Sequence, residues 1–252
     1  MNLLLHGVQD FEIVNADTLK VPAFTDHAKL QQFDIVLANS PYSIKQWDRT
    51  AFESDKYGRN FLGTPPQGRG DYAFFQHILK SMDPVSGRCA ILFPHGVLFC
   101  GEEQEMREKL VRADLVECVL GIGRNLFYNS PMEACIIICR TNKPKDRRGK
   151  IQFINAKHEV TRKNAQSYLE DSHIKRITET YDNYNVEPGF SAVVSNKDIL
   201  ENGAELTVSL YVDEVNDEEA IPMEDAVQIW LDKSSRFNAA YDKLEKLIKE
   251  GE

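Results

Sequence analysis

Residues 34–43 read DIVLANSPYS, and the reading of this stretch decides the fold. The apolar run Ile35-Val36-Leu37-Ala38 has the character of a buried strand. It stops abruptly at an amide, a serine, a proline and an aromatic ring: Asn39, Ser40, Pro41 and Tyr42. The residue before a proline is confined to extended backbone, so Ser40 leaves the strand in an extended conformation. A strand that ends in an amide, a rigid turn and a ring places recognition chemistry at one point.

Working outward, apolar bursts alternate with helical patterns. FEIVNAD (11–17) reads as a strand ending at Asp17, and FDIVLA (33–38) as a second. DYAFFQHILKSM (71–82) carries apolar residues at Tyr72, Phe75, Ile78, Leu79 and Met82, the spacing of a helix. GRCAILFP (87–94), fed by the turn DPVSG, is a third strand. EEQEMREKLV (102–111) is a helix whose first-turn acids match the helix dipole. DLVECVLGI (114–122) and EACIIICR (133–140) are two more strands, and IQFINA (151–156) a further edge strand. This alternation is the α/β signature, and strands so uniformly apolar point to a mainly parallel sheet buried on both faces. The link 123–132 is too short for a helical crossover, which predicts an antiparallel pair at the sheet edge. Ligands of open α/β sheets sit outside the carboxyl ends of the strands. Asp17, Asn39 and Pro94-His95-Gly96 all fall on that rim.

The chain has 252 residues, a net charge of −9 and 27% charged residues, a globular balance with a core large enough to be stable alone. It has no apolar stretch of membrane-span length and no signal-peptide pattern, so a soluble cytoplasmic protein without membrane contact is expected. The negative charge argues against nonspecific nucleic-acid binding by the whole surface but leaves room for a local basic groove. Cys89, Cys100, Cys118, Cys135 and Cys139 form no C-x-x-C and lie mostly in apolar runs, so buried free thiols are expected and no metal site. The long loop 43–70 interleaves Lys45, Trp47, Arg49, Lys56, Tyr57, Arg59, Phe61 and Arg69. Two readings stand level there: a nucleic-acid contact built on stacking and phosphate pairing, and a surface excursion over the sheet. RTNKPKDRRGK (140–150) carries six Lys/Arg and reads foremost as a solvated connection, with a phosphate contact as the sharper alternative.

The opening motif suits one chemistry. An exocyclic amine on adenine is a poor nucleophile, because its lone pair is delocalised into the ring. Two acceptors aimed at its N–H bonds favour the tetrahedral geometry that attack on a methyl group requires. The Asn39 side-chain oxygen and the Ser40 carbonyl are placed for this, and the Tyr42 ring can stack on the base. Such stacking is worth roughly 1–3 kcal/mol, comparable with the few kcal/mol that unstacking a base from a duplex costs.

Asn39-Ser40-Pro41-Tyr42 resembles the Asn/Asp-Pro-Pro-Tyr/Phe motif of amino-group methyltransferases that use S-adenosylmethionine. The ordered set NLLLHG, ADTL, GRGDYAFFQHILKSM, GRCAILFPHGVLF, REKLV, NLFYNSPMEACIIICR and GKIQFINA, from residue 2 to about residue 212, resembles the methylation subunit of type I restriction-modification systems. The resemblance implies a Rossmann-like S-adenosylmethionine-dependent fold and a DNA adenine-N6 methyltransferase. It implies double-stranded DNA as substrate, S-adenosylmethionine as methyl donor, no metal, a specificity subunit as partner and a restriction subunit as a further one. Residue by residue, Asp17 matches the position that accepts from the cofactor's adenine amine, with Thr18 beside it and Asn39 near the methyl end. Phe127 matches the aromatic that stacks on the flipped base opposite Tyr42, and Tyr128 is the alternative. The residues alone offer plainer readings: Asp17 as a cap on Thr18-Leu19-Lys20, and Phe127 as core packing. Ser43 and Lys45 are weaker candidates for a phosphate contact, and His95 is assigned no chemistry.

The sequence departs from the family at three points. Ser40 replaces the first proline but keeps the carbonyl. GIGRNLF replaces the usual Leu-Pro before Asn-Leu-Phe. The glycine-rich turn and ribose-gripping acid of the family precede NLLLHG and have no match here. The expected organisation is therefore a partial catalytic domain over 1–212, an acidic linker at 213–222 and a C-terminal helix at 223–252. In that helix Trp230, Ser234, Phe237, Tyr241, Leu244 and Ile248 make a heptad-like stripe suited to subunit contact, with folding back on its own domain as the competing reading. Two other functions compete with the DNA methyltransferase: a protein-glutamine N-methyltransferase, which shares an Asn-Pro-Pro-Tyr site, and a non-catalytic assembly module that docks without holding the cofactor.

Overall fold

The computed structural model describes residues 2–27, 29–127, 131–164, 166–213 and 223–250, with the side chains of 226, 239 and 242–250 outside the described set. The chain divides into two units, Met1–Glu214 and Val215–Glu252.

A six-stranded sheet organises the first unit. Its strands are β1 (Ile35–Asn39), β2 (Arg88–Pro94), β3 (Val116–Ile122), β4 (Ala134–Arg140), β5 (Lys150–Ala156) and β6 (Ser191–Ser195). Their spatial order is β6-β5-β3-β4-β2-β1. The sheet is mixed: β1/β2 and β3/β5 are parallel, while β2/β4, β3/β4 and β5/β6 are antiparallel. The pair β3/β4 is antiparallel as the short link predicts. Its place differs from the expectation, because β5 and β6 extend the sheet beyond it and make the pair interior. β5 is likewise internal, and every residue of β3 is buried.

Residues 11–17 form no strand and are exposed. A strand exists only through a hydrogen-bonded neighbour, and no described segment pairs with this one.

Helix α1 (Asp71–Lys80) follows the predicted apolar spacing and buries Tyr72, Phe75, Ile78 and Leu79. Helix α2 (Gln104–Arg112) buries Met106, Leu110 and Val111. Both pack in one cluster with Ile91, Phe93, Val119, Ile137 and Phe153 of the sheet. Beyond residue 156, where the sequence pattern loosens, the chain forms α3 (Asp171–Asn183), α4 (Asn196–Glu201) and α5 (Val208–Tyr211). Glu117, on β3, is fully buried and is balanced by Arg147 at 3.2 Å, Arg140 at 3.3 Å and the Tyr181 hydroxyl at 2.7 Å. A buried carboxylate survives only with such pairing.

The second unit is one helix, α6 (Met223–Glu250). Trp230, Phe237 and Tyr241 are exposed on it, and Asp232 pairs with Arg236 one turn on. The linker residues 214–222, and the side chains of Leu244 and Ile248 in the stripe, lie outside the described residues.

Candidate active site

Asn39 is the last residue of β1, in parallel register with Leu92 of β2. The chain then turns through Ser40, Pro41 and Tyr42 to Ser43, whose φ of 48° lies in the left-handed region. The Tyr42 hydroxyl donates to Asn39 Oδ1 at 3.1 Å. That bond fixes the amide and leaves its oxygen a second lone pair. Burial, followed by the Cys135 thiol and Asp71, raises the Tyr42 pKa, so the phenol stays a donor at neutral pH.

Asn39, Ser40, Pro41, Tyr42 and Phe127 line one open cavity of about 470 Å³, completed by Met132 and Ala134. Residues from the end of β1 and from the link before β4 are thus brought together, 85 positions apart at their closest (127 − 42). Phe127 is half-buried: it lines this cavity and also packs on the cluster of Leu120, Ile122 and Ile154. Tyr128 lies outside the described residues. Met132 and Ala134 carry no chemical signature and could be found only from the fold.

A second cavity, of about 400 Å³, lies against the same turn. Its lining includes Val14, Ala16, Thr18, Val36, Ala38, Ser40 and Pro41. Ser40-Pro41 is therefore a wall shared by the two spaces. The lining of this second cavity is largely apolar, which suits a flat heterocycle. His77 also lines it, and burial pushes that imidazole down to about 4, so it is neutral. Asp17, exposed beside Thr18, accepts Leu19 N–H and Lys20 N–H, both at 3.1 Å and both on Oδ1. The capping reading of Asp17 is thus realised. While Asp17 is not among the lining residues, apolar walls and Thr18 are present here for the adenine end of S-adenosylmethionine. For its methionine end no glycine-rich turn following a strand exists among the described residues.

Several side chains of the long loop 43–70 are tied to the domain, while Lys45 and Lys56 are exposed. Arg59 is 2% exposed and holds Asp55 together with the carbonyls of Thr18 and Leu19. Arg49 pairs with Glu53 and bonds the Pro65 carbonyl, and Trp47 bonds the Gln67 carbonyl. Lys45 remains exposed. His95 bonds the Ala134 carbonyl at 3.0 Å and lies 4.0 Å from Glu133, a structural arrangement. Cys89, Cys118, Cys135 and Cys139 are buried free thiols, and burial pushes Cys135 up to about 12. Among the described residues no cluster of His, Cys, Asp or Glu is arranged for a metal ion, and no helix is long and apolar enough to cross a membrane.

The mixed sheet with an amide and an aromatic at a strand terminus is the Rossmann-like fold of S-adenosylmethionine-dependent methyltransferases. The chain belongs to the N-6 DNA methylase family, whose model matches residues 1–220. It is 33% identical over 238 residues to the type I restriction enzyme MjaVII methylase subunit of Methanocaldococcus jannaschii, covering 88% of this chain and 40% of that one. It is 29% identical over 246 residues to the HindI methylase subunit of Haemophilus influenzae, covering 90% and 52%. The crystal structure of the type I restriction-modification methyltransferase subunit from Streptococcus thermophilus superposes with a TM-score of 0.77 at 32% identity, over 84% of this chain and 45% of that one. The chain thus spans about half the length of the relatives it matches.

Proposed function

We propose that this chain is the target-base half of a type I methylation subunit, a DNA adenine-N6 methyltransferase acting with a specificity subunit on double-stranded DNA in the cytoplasm. The observation that carries this reading is the single cavity bounded by Asn39, Ser40, Pro41, Tyr42 and Phe127. A flipped adenine seats there with its ring against Tyr42 and Phe127. The free lone pair of Asn39 Oδ1 and the Ser40 carbonyl accept the two N6–H bonds. Those contacts localise the nitrogen lone pair and steer it along one axis. Thr18 and the apolar walls beside it would hold the adenine end of S-adenosylmethionine, which would supply an electrophilic methyl carbon whose bond to the sulfonium sulfur breaks as N6 takes the methyl, the thioether leaving. Charge grows on N6 as the new bond forms, and the same two acceptors stabilise it; the proton leaves afterwards to water. No residue needs an unusual pKa. The partial catalytic domain over 1–212, the acidic linker at 213–222 and the helix over 223–252 divide the labour: chemistry in the first, reach in the second, subunit contact in the third. A restriction subunit joins through that assembly.

Asn39→Ala in the assembled enzyme tests the reading. Loss of one transition-state acceptor costs on the order of 10²–10³ in rate, so methyl transfer to DNA falls by that factor while the complex still assembles. Methylation at the parent rate would refute the assignment. Loss confined to assembly would favour the docking-module reading.

A further inference from the structure

The sequence motif GRGDY lies outside the cavity, yet two of its residues grip the loop that forms it. Asp71, the first residue of α1, is 3% exposed and accepts the Ser43 N–H on Oδ1 at 2.9 Å. Ser43 is the residue whose left-handed backbone ends the Asn39–Tyr42 turn. Serine reaches that region only at a cost, and it persists there when the surroundings hold it. Gly70 donates its N–H to the Ile44 carbonyl at 3.3 Å. A Cβ on Gly70 would stand 2.5 Å from Ile44 Cγ1, so the loop approaches the start of α1 as closely as a glycine permits. On its other side, Asn39 Oδ1 is held by Tyr42 within the same turn. The turn is therefore clamped twice, once to itself and once to α1.

We infer that Asp71 is a positioning residue for methyl transfer: its buried carboxylate, through the Ser43 N–H, holds the Asn39–Tyr42 turn in the shape that aims the two acceptors and the stacking ring. This inference rests on the proposed adenine site. Asp71 lines neither cavity and touches no reacting atom. Its side chain replaces the water that would otherwise solvate the Ser43 N–H. It also fixes that N–H to a helix packed into the main core through Tyr72 and Phe75. The turn thus inherits the rigidity of α1, although β1 itself is hydrogen-bonded only to β2 among the described strands. A carboxylate at the first turn of a helix is stabilised by the helix dipole, so the clamp sits where a charged acceptor is tolerated despite burial.

The test uses the assembled enzyme with Asp71→Ala and Asp71→Asn, beside Asn39→Ala. Misplacement of a catalytic group by about 1 Å costs roughly 100-fold. Asp71→Ala is therefore expected to lower kcat by about that factor, with KM for S-adenosylmethionine within about twofold and faster hydrogen exchange in the peptide covering 39–45. Asp71→Asn keeps an acceptor oxygen in place and restores most of the rate. Wild-type kcat in Asp71→Ala overturns the inference. So does a rate loss that Asp71→Asn fails to restore at an unchanged melting temperature, or protection of 39–45 that Asp71→Ala leaves intact. Should Asp71→Ala fail to fold, the Asp71→Asn arm decides through exchange and kcat. Should Asn39→Ala retain activity, the adenine site itself is misassigned, a result separate from any failure of the clamp.

Discussion

Arg59→Ala is the substitution with the largest stability effect that the loop predicts. The guanidinium reaches Asp55 Oδ1 at 2.6 and 2.9 Å, the Thr18 carbonyl at 2.8 Å and the Leu19 carbonyl at 2.9 Å. It is almost wholly buried, with Phe52 and Tyr57 rings 5.5 Å from its centre. Truncation leaves the Asp55 carboxylate buried with only the Tyr57 and Arg59 N–H groups for company. Breaking a buried pair by deleting one partner costs about 3–5 kcal/mol. The two orphaned carbonyls add to this unless water enters the space, which is polar enough to admit it. For a domain of this size 1 kcal/mol moves the melting temperature by about 2–4 °C, giving an expected fall of roughly 6–20 °C by scanning calorimetry at neutral pH. Arg59→Lys keeps the charge but not the planar fork and recovers only part of the loss. The sign of the pH dependence is also set. Burial alone would raise the Asp55 carboxyl, but hydrogen bonds and charge from Arg59 hold it below its ordinary 3.8. A lowered carboxyl contributes stability that is present above the unfolded value and lost as pH falls through the folded one. In Arg59→Ala that contribution is gone, so the gap between variant and parent narrows below about pH 4 as Asp55 is protonated. A melting temperature within about 3 °C of the parent at neutral pH, the behaviour of a surface pair, would refute the reasoning.

Two further outcomes are expected. Calorimetric titration of residues 1–252 alone with S-adenosylmethionine is expected to give very weak binding, because no glycine-rich turn follows a strand among the described residues; micromolar affinity would refute that expectation. On α6, Trp230 and Phe237 are 65% and 70% exposed, so replacing both with Asp leaves the melting temperature nearly unchanged and abolishes co-purification with the specificity subunit. Retained assembly with a collapsed melting temperature would mean that the stripe packs internally.

The end of β1 was legible because it is local: Asn39, Ser40, Pro41 and Tyr42 are four consecutive residues, and an apolar run followed by proline declares its own terminus. Helix α1 was legible for the same reason, since Tyr72, Phe75, Ile78 and Leu79 repeat at helix spacing. Sheet order was not. Apolar character does not report a strand's place: EACIIICR lies inside the sheet, while the equally apolar β1 lies at its edge with Ile35 and Leu37 exposed. Helix α3 escaped because it buries only Ile177 and Thr180, too little for periodicity to register. Arg59 read as one of several loop cations because its partners are Asp55 and two backbone carbonyls some forty positions earlier, and a carbonyl leaves no mark in a sequence. Residues 11–17 failed in the opposite sense. FEIVNAD has the composition of a strand, but composition cannot supply the neighbour that a strand needs.

The same distinction between local chemistry and long-range support explains how the site is held. Asn39 closes a strand that is paired on one side only among the described residues, and Ile35 and Leu37 along it are exposed. A terminal residue on such a strand has no second ladder to restrain its backbone, yet its amide must be aimed to a fraction of an ångström for the proposed chemistry. The restraint comes instead from the loop that follows. Tyr42 fixes the amide rotamer, Asp71 fixes the exit of the turn, Gly70 lets Ile44 seat against α1, and Arg59 ties Thr18 and Leu19 to the far end of the same loop. Three of these groups act through hydrogen bonds, and Gly70 acts by its lack of a side chain, since a Cβ there would stand 2.5 Å from Ile44 Cγ1. Within the segment 59–71 a buried aspartate, a buried arginine and a crowded glycine thus tie the loop that follows Asn39 to the rest of the domain.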